Sequence, residues 1–168
     1  MNKTVLFFAT LGPIGTKLPA PGTMGSLFGT LLFTLFTLGF GWSVQVIALS
    51  FVPLFLIGIP LCSRAEILLD RDDPGEVIWD EFTVIPLVFL PLSSLFEKPI
   101  TQETFVWIVA GFMLFRFFDI SKPWIIRSAQ KLPRGLGVMV DDLLAATASA
   151  GVLWGAKTFS LSFLSRTI

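Results

Sequence analysis

Histidine is missing from this 168-residue chain, and cysteine occurs once, at Cys62. Without histidine there is no phosphohistidine, no imidazole base and no imidazole metal ligand. A single thiol builds neither an intrachain disulfide framework nor a cysteine metal cluster, and Cys62, set in an apolar stretch, reads as packing. Charge is scarce too: 14% of the residues are charged, against about a quarter in an ordinary soluble domain. Twelve basic residues balance twelve acidic ones, and zero net charge removes any broad electrostatic grip on nucleic acid. Chemistry therefore falls to carboxylates, hydroxyls, lysines, arginines or a bound metal.

What is abundant is apolar: 54% of the chain is hydrophobic, 18 residues are phenylalanine, and the mean hydropathy is +0.80. This composition predicts an all-α integral membrane protein, one helical bundle over residues 1–168, with an N-terminal segment (1–22) leading into the bundle (23–164). The apolar patch at 4–11 is too short to span and ends in turn residues, so the N-terminus reads as a retained segment. A spanning helix needs about 20 residues. Five stretches approach that length: 24–41, 42–62, 82–96, 103–118 and 143–164. Pro53 and Pro60 should kink or end the second, and the third and fourth are short, so four or five crossings are expected. Gly151-x-x-x-Gly155 in the last allows close helix approach, within the chain or between two copies.

If all five cross, one side of the membrane receives "PAPGTMGS" (19–26), "RAEILLDRDDPGEVIWDE" (64–81), "RFFDISKPW" (116–124) and "LPRGLGVMVDD" (132–142). Nine of the twelve Lys and Arg residues fall there, the exceptions being Lys98, Lys157 and Arg166. Positive residues accumulate in the cytoplasm, which predicts a cytoplasmic polar site.

The polar residues have bland readings. Asp80 and Glu81 begin the third span and Asp141 and Asp142 the fifth, where carboxylates favour a helix N-terminus through its dipole. Two such pairs on one side of a small bundle ask for more. Paired carboxylates repel each other, and a cation settles them where water is scarce. Oxygen-only ligands select a hard ion, Mg²⁺ with Mn²⁺ as second candidate, over zinc. Arg116 and Asp119, three apart, share a helix face and can pair; Lys122 follows, and Pro123 breaks the helix. "RGLG" (134–137) is a glycine-rich turn whose Gly135 and Gly137 N–H groups can face an anion. In "PAPGTMGS", Thr23 or Ser26 should cap the first spanning helix, whose N-terminus is also a ready anion site. Beside Arg116, Lys122 and a carboxylate-bound metal, the 134–137 turn looks like half of a phosphate pocket. Two other classes stay open: a small cation transporter or channel with a carboxylate ion site, and an inactive lipid-binding scaffold.

The ordered set "APGTMGSL" (20–27), "DDPGEVIWDE" (72–81), "LFRFFDISKPW" (114–124) and "GLGVMVDDLLAA" (135–146) resembles the phosphatidylglycerophosphatase A family over about residues 18–155. The chain departs from the family's usual pattern at Val84, Ile125 and Arg134, changes that bear on packing and loop shape and leave every carboxylate in place. The resemblance implies a Mg²⁺-dependent phosphatase of the bacterial inner membrane that converts phosphatidylglycerophosphate to phosphatidylglycerol and inorganic phosphate. It implies Asp80, Glu81, Asp141 and Asp142 as metal-binding or catalytic acids, with Asp119 as a further ligand or a partner of Arg116. Arg116 and Lys122 would clamp the phosphate, with Gly135, Gly137 and the 22–26 helix start, Ser26 included, adding donors. The expected nucleophile is a metal-activated water, with a covalent aspartyl-phosphate or attack by Thr23 as alternatives.

Overall fold

The computed structural model describes residues 2–97 and 101–166, the last six of these by their backbone alone. Lys98 and the side chain of Arg166 lie outside the described residues. Every regular element described is helical: α1 (Asn2–Ala9), α2 (Pro13–Lys17), α3 (Pro21–Thr34), α4 (Val44–Leu69), α5 (Trp79–Val88), α6 (Ser93–Phe96), α7 (Gln102–Ser121), α8 (Trp124–Ala129) and α9 (Gly135–Arg166). Five segments are long and apolar enough to cross a membrane: Pro21–Gly39, Val44–Leu69, Trp79–Phe96, Gln102–Ser121 and Gly135–Ser160. Helices of membrane length and composition are therefore five in number among the described residues.

Each span has a local reason. α3 continues through a π-helical turn, Leu35–Gly39, which lengthens it to membrane size. α4 starts at Ser43, whose Oγ accepts the Val46 N–H, and runs through Pro53 and Pro60 without ending. Pro91 places a 3₁₀ turn, Leu90–Leu92, between α5 and α6. That broken third span is also the most enclosed of the five, 61% buried, because α3, α4 and α9 pack around α5. Backbone irregularity at membrane depth is tolerated where protein rather than lipid surrounds it. Phe33 and Phe89 stack at 4.6 Å in the core between α3 and this span. α7 opens with a capping box between Thr101 and Thr104.

Two expectations change, and one open alternative narrows. α3 begins at Pro21, after Ala20 in a left-handed conformation (φ 49°), with no side-chain cap. Proline at the first helical position has its φ preset and lacks an N–H that would go unbonded anyway, so Thr23 and Ser26 lie inside the helix instead of capping it. α9 begins at Gly135, earlier than the apolar run that suggested residue 143. Asp141 and Asp142 therefore sit about two turns into the helix, beyond reach of its N-terminal dipole. Gly151 and Gly155 are exposed, and a Cβ on either would meet nothing within 4 Å, so this glycine pair does not pack inside the bundle.

The five polar ends gather. The start of α3 touches α5 and α7, since Gly22 lies against Glu81 and Arg116. The end of α7 meets α9 through Lys122 and Asp141. The end of α4 receives the following loop through Glu66 and Asp73.

Candidate active site

Asp80 and Glu81 occupy the first turn of α5, and Asp142 reaches them from α9. One carboxylate oxygen from each lies within 4.8 Å of the others. Asp80 is 5% exposed and Asp142 2%. Three carboxylates at this spacing repel one another, and burial removes the water that would screen them. The dipole of α5 offsets a part of this for Asp80 and Glu81 alone.

Two cations flank the trio. Arg116, in the last turns of α7, donates from one guanidinium nitrogen to Asp119 Oδ2 at 2.6 Å and to Ser26 Oγ at 3.2 Å. The same nitrogen stands 3.9 Å from Glu81 Oε1. Ser26 is itself held, donating to the Gly22 carbonyl at 2.8 Å. Lys122 caps the end of α7 in a left-handed conformation (φ 40°), with Pro123 directly after it. Its Nζ donates to Asp141 Oδ2 at 2.6 Å and lies 3.6 Å from Asp73 Oδ2. Burial disfavours the ammonium, but the hydrogen bond to Asp141 and the charges of Asp141, Asp73 and Asp142 outweigh it, so the lysine pKa is raised.

The other expected residues lie close by in differing roles. Asp119 is buried beside Asp142 and paired with Arg116. Asp141 directs Oδ2 to Lys122, away from the trio. Thr23 is half-buried next to Gly22, with no side-chain hydrogen bond among the described residues. The Gly135 N–H donates to Ser63 Oγ at 3.2 Å and that of Gly137 to the Arg134 carbonyl at 2.7 Å. Both amides are therefore already bonded within the protein. Gly135 instead serves contact with α4, since a Cβ there would lie 2.5 Å from the Ile59 carbonyl oxygen.

Four further residues belong to this end whose sequence context assigns them no role of their own, although Gly22, Glu66 and Asp73 fall within the quoted polar stretches. Gly22 lets α3 approach Glu81, where a Cβ would collide with Oε1. Glu66, 6% exposed, accepts the Asp73 N–H at 3.1 Å. Asp73 also accepts from Gln130 Nε2 at 3.3 Å, which draws the α4–α5 loop over Lys122. An acid closing an otherwise apolar helix was the available signal for Glu66. Asp73 and Gln130 are joined only by tertiary structure.

Six buried polar atoms have no hydrogen-bond partner among the described residues: Glu66 Oε2, Asp80 Oδ1, Glu81 Oε2, Arg116 Nε, Asp141 Oδ1 and Asp142 Oδ2. All lie at this one end of the bundle. A buried polar atom without a partner costs about 1–3 kcal/mol, so such a concentration marks a place built to receive something. Three carboxylate oxygens converging without nitrogen or sulfur suit a hard divalent cation, and the guanidinium and ammonium beside them suit an anion.

The family model described as Phosphatidylglycerophosphatase A matches residues 7–157. A relative from Haemophilus influenzae with that name is 38% identical over 144 residues, covering 85% of this chain and 82% of the relative. The relative of that name from Escherichia coli K12 is 33% identical over 149 residues, covering 88% and 77%. A relative from Bacteroides thetaiotaomicron, provisionally named a phosphatidylinositol-3-phosphatase, is 33% identical over 132 residues, covering 77% and 79%. No solved structure matches the chain at significance. With that match running from α1 through most of α9, the chain belongs to the phosphatidylglycerophosphatase A family and is an enzyme.

Proposed function

We propose that this enzyme removes the terminal phosphate of phosphatidylglycerophosphate, giving phosphatidylglycerol and inorganic phosphate, at the cytoplasmic face of a bacterial inner membrane. The observation that carries the reading is the convergence of Asp80, Glu81 and Asp142 beside Arg116 and Lys122 at one end of five membrane-length helices. The excess of lysine and arginine at that end supports the cytoplasmic orientation.

Asp80, Glu81 and Asp142 are the residues that would hold Mg²⁺, or Mn²⁺ in its place. Such an ion, when bound, neutralises phosphate oxygens and makes a water more acidic. The chain's own residues do the rest. Arg116 and Lys122 bind the phosphate oxygens, and charge-assisted hydrogen bonds from both strengthen as negative charge develops. Asp119 and Ser26 orient Arg116; Asp141 and Asp73 orient Lys122. Water is the nucleophile: its hydroxyl joins phosphorus, the phosphorus–oxygen bond to the headgroup breaks, and the leaving oxygen takes up a proton. The helices keep the acyl chains in lipid while the headgroup enters among the polar ends. A cation pathway fits less well, because Arg116 and Lys122 flank the acids and would repel a travelling ion.

The test is phosphate release by the purified full chain in detergent. Release from phosphatidylglycerophosphate with Mg²⁺, and none with chelator, is expected. Release that survives chelation would contradict the metal. Faster turnover of phosphatidylinositol 3-phosphate would move the substrate to that of the Bacteroides relative, and Thr23→Ala abolishing turnover would transfer the attack to its hydroxyl.

A further inference from the structure

Next to the trio is a second polar space, a cavity of about 190 Å³ whose walls include Glu66 from α4, Asp73 from the α4–α5 loop, Gln130 and Arg134 from the segment before α9, and Asp141 from α9. Two of its lining acids are more than nine-tenths buried, and each keeps an oxygen without a hydrogen-bond partner among the described residues: Glu66 Oε2 and Asp141 Oδ1. Neither atom belongs to the trio, and the mechanism uses neither.

The chemistry of the walls narrows the ligand. Four lining carboxylates, those of Glu66, Asp72, Asp73 and Asp141, face one lining cation, Arg134, so an anion is disfavoured. A metal ion is disfavoured by geometry. The trio is the one group of at least three acids among the described residues whose oxygens converge to within 4.8 Å; the acceptors here are spread around a larger space. Dispersed, buried acceptors with a neighbouring amide call for a neutral group that donates hydrogen bonds at separate points.

We propose that this cavity is the subsite for the hydroxyl-bearing alcohol portion of the lipid headgroup, and that Glu66 and Gln130 determine specificity for it. The inference rests on the phosphatase reading, since it names a part of that substrate. Asp141 links the two spaces: its Oδ2 holds Lys122 at the phosphate side, and the residue also forms part of the cavity wall. The headgroup's secondary hydroxyl would donate to Glu66 Oε2 while its phosphate lies between Arg116 and Lys122.

The experiment compares two lipids in detergent micelles with Mg²⁺: phosphatidylglycerophosphate and the analogue whose headgroup lacks the secondary hydroxyl. The wild type should prefer the natural lipid by about ten- to hundredfold in kcat/KM, the discrimination expected of one hydrogen bond to a charged acceptor. In Glu66→Met the preference should fall to near one, with the loss borne by the natural lipid. In Gln130→Ala, an exposed loop position whose replacement leaves the helices untouched, it should fall at least threefold. Equal losses on both lipids in Gln130→Ala would assign a merely structural part and overturn the proposal, whether or not Glu66→Met folds. A wild type that treats the two lipids alike also overturns it and leaves the phosphatase reading standing. A wild type that releases phosphate from neither lipid overturns that reading, and the subsite with it.

Discussion

Asp141 and Asp142 are adjacent on α9 and face different partners. Successive side chains on an α-helix point about 100° apart, so Asp141 meets Lys122 Nζ at 2.6 Å while Asp142 completes the acidic trio with Asp80 and Glu81. A pair that looks like one feature in the sequence divides its work between an anion-binding lysine and a candidate metal centre.

That division predicts two phenotypes. Asp142→Asn should abolish turnover and the response to Mg²⁺ together. Asp141→Asn should keep a Mg²⁺-dependent rise in unfolding temperature and lose activity through Lys122. Removing the buried partner of a charged hydrogen bond should also cost Asp141→Asn about 1–3 kcal/mol of stability. The lysine pKa is raised by this pairing, so its contribution to stability is complete below the ordinary lysine value of about 10.4 and declines only as pH climbs above it. Thermal unfolding in detergent between neutral pH and pH 11 checks the sign: a wild-type advantage over Asp141→Asn that grew as pH rose toward 11 would contradict it.

The trio predicts a metal signature independent of catalysis. Without divalent cation, Asp80→Asn, Glu81→Gln and Asp142→Asn should each raise the unfolding midpoint, because each removes one of three repelling charges. With Mg²⁺ the order should reverse. The wild type gains about 2.7 kcal/mol at a hundredfold excess over the dissociation constant, while the variants gain little. Binding of Mn²⁺ followed by electron paramagnetic resonance gives a second readout. A wild type whose midpoint ignores both ions would show that the acids are settled by protons instead.

Much of this end of the molecule was legible in the sequence, and the remainder has physical reasons for being hidden. Asp80, Glu81 and Asp142 could be read because they belong to acidic pairs set directly before apolar runs, and Arg116 because it lies inside one, where a charge needs an explanation. The start of α9 was misplaced for a related reason. Counting apolar residues puts the charges outside the helix, whereas burial against α4 and α5 lets Gly135 to Asp142 be helical and enclosed. The capping role expected of Thr23 or Ser26 failed because Pro21 starts the helix earlier. Glu66, Asp73 and Gln130 enter through loop closure, with 57 residues between Asp73 and Gln130, and no local pattern reports such a contact.

Arg116 should prove irreplaceable by lysine. One of its nitrogens serves Asp119, Ser26 and Glu81 at once, and a planar guanidinium makes such shared contacts where an ammonium offers a point charge. Arg116→Lys is expected to lower kcat/KM by about a hundredfold or more, a loss of roughly 3 kcal/mol of transition-state stabilisation. Ser26→Ala removes one orienting acceptor and should cost about tenfold, within the value of one hydrogen bond. The two losses should combine to less than their product, because both act through the same nitrogen. Steady-state kinetics on the two single variants and the double variant measure this, and fully multiplicative effects would separate Ser26 from the arginine.

Gly22 gives the sharpest steric prediction. Its Cα faces Glu81 so closely that an added methyl would overlap Oε1 and lie 3.4 Å from an Arg116 guanidinium nitrogen. In Gly22→Ala, either α3 moves away from α5 or Glu81 turns out of the trio. Both outcomes disturb the acids, and overpacking of this kind costs about 1–3 kcal/mol. Activity should fall by at least a hundredfold, and the Mg²⁺-induced rise in unfolding temperature should shrink with it. Gly151→Ala is the matched control. It sits mid-helix on α9, a Cβ there meets nothing within 4 Å, and alanine is favoured over glycine in a helix by about 1 kcal/mol. That variant should keep its activity and melt at the same temperature or slightly higher. If Gly22→Ala retained both turnover and the Mg²⁺ response, the close approach of α3 to Glu81 would have no part in holding the site together.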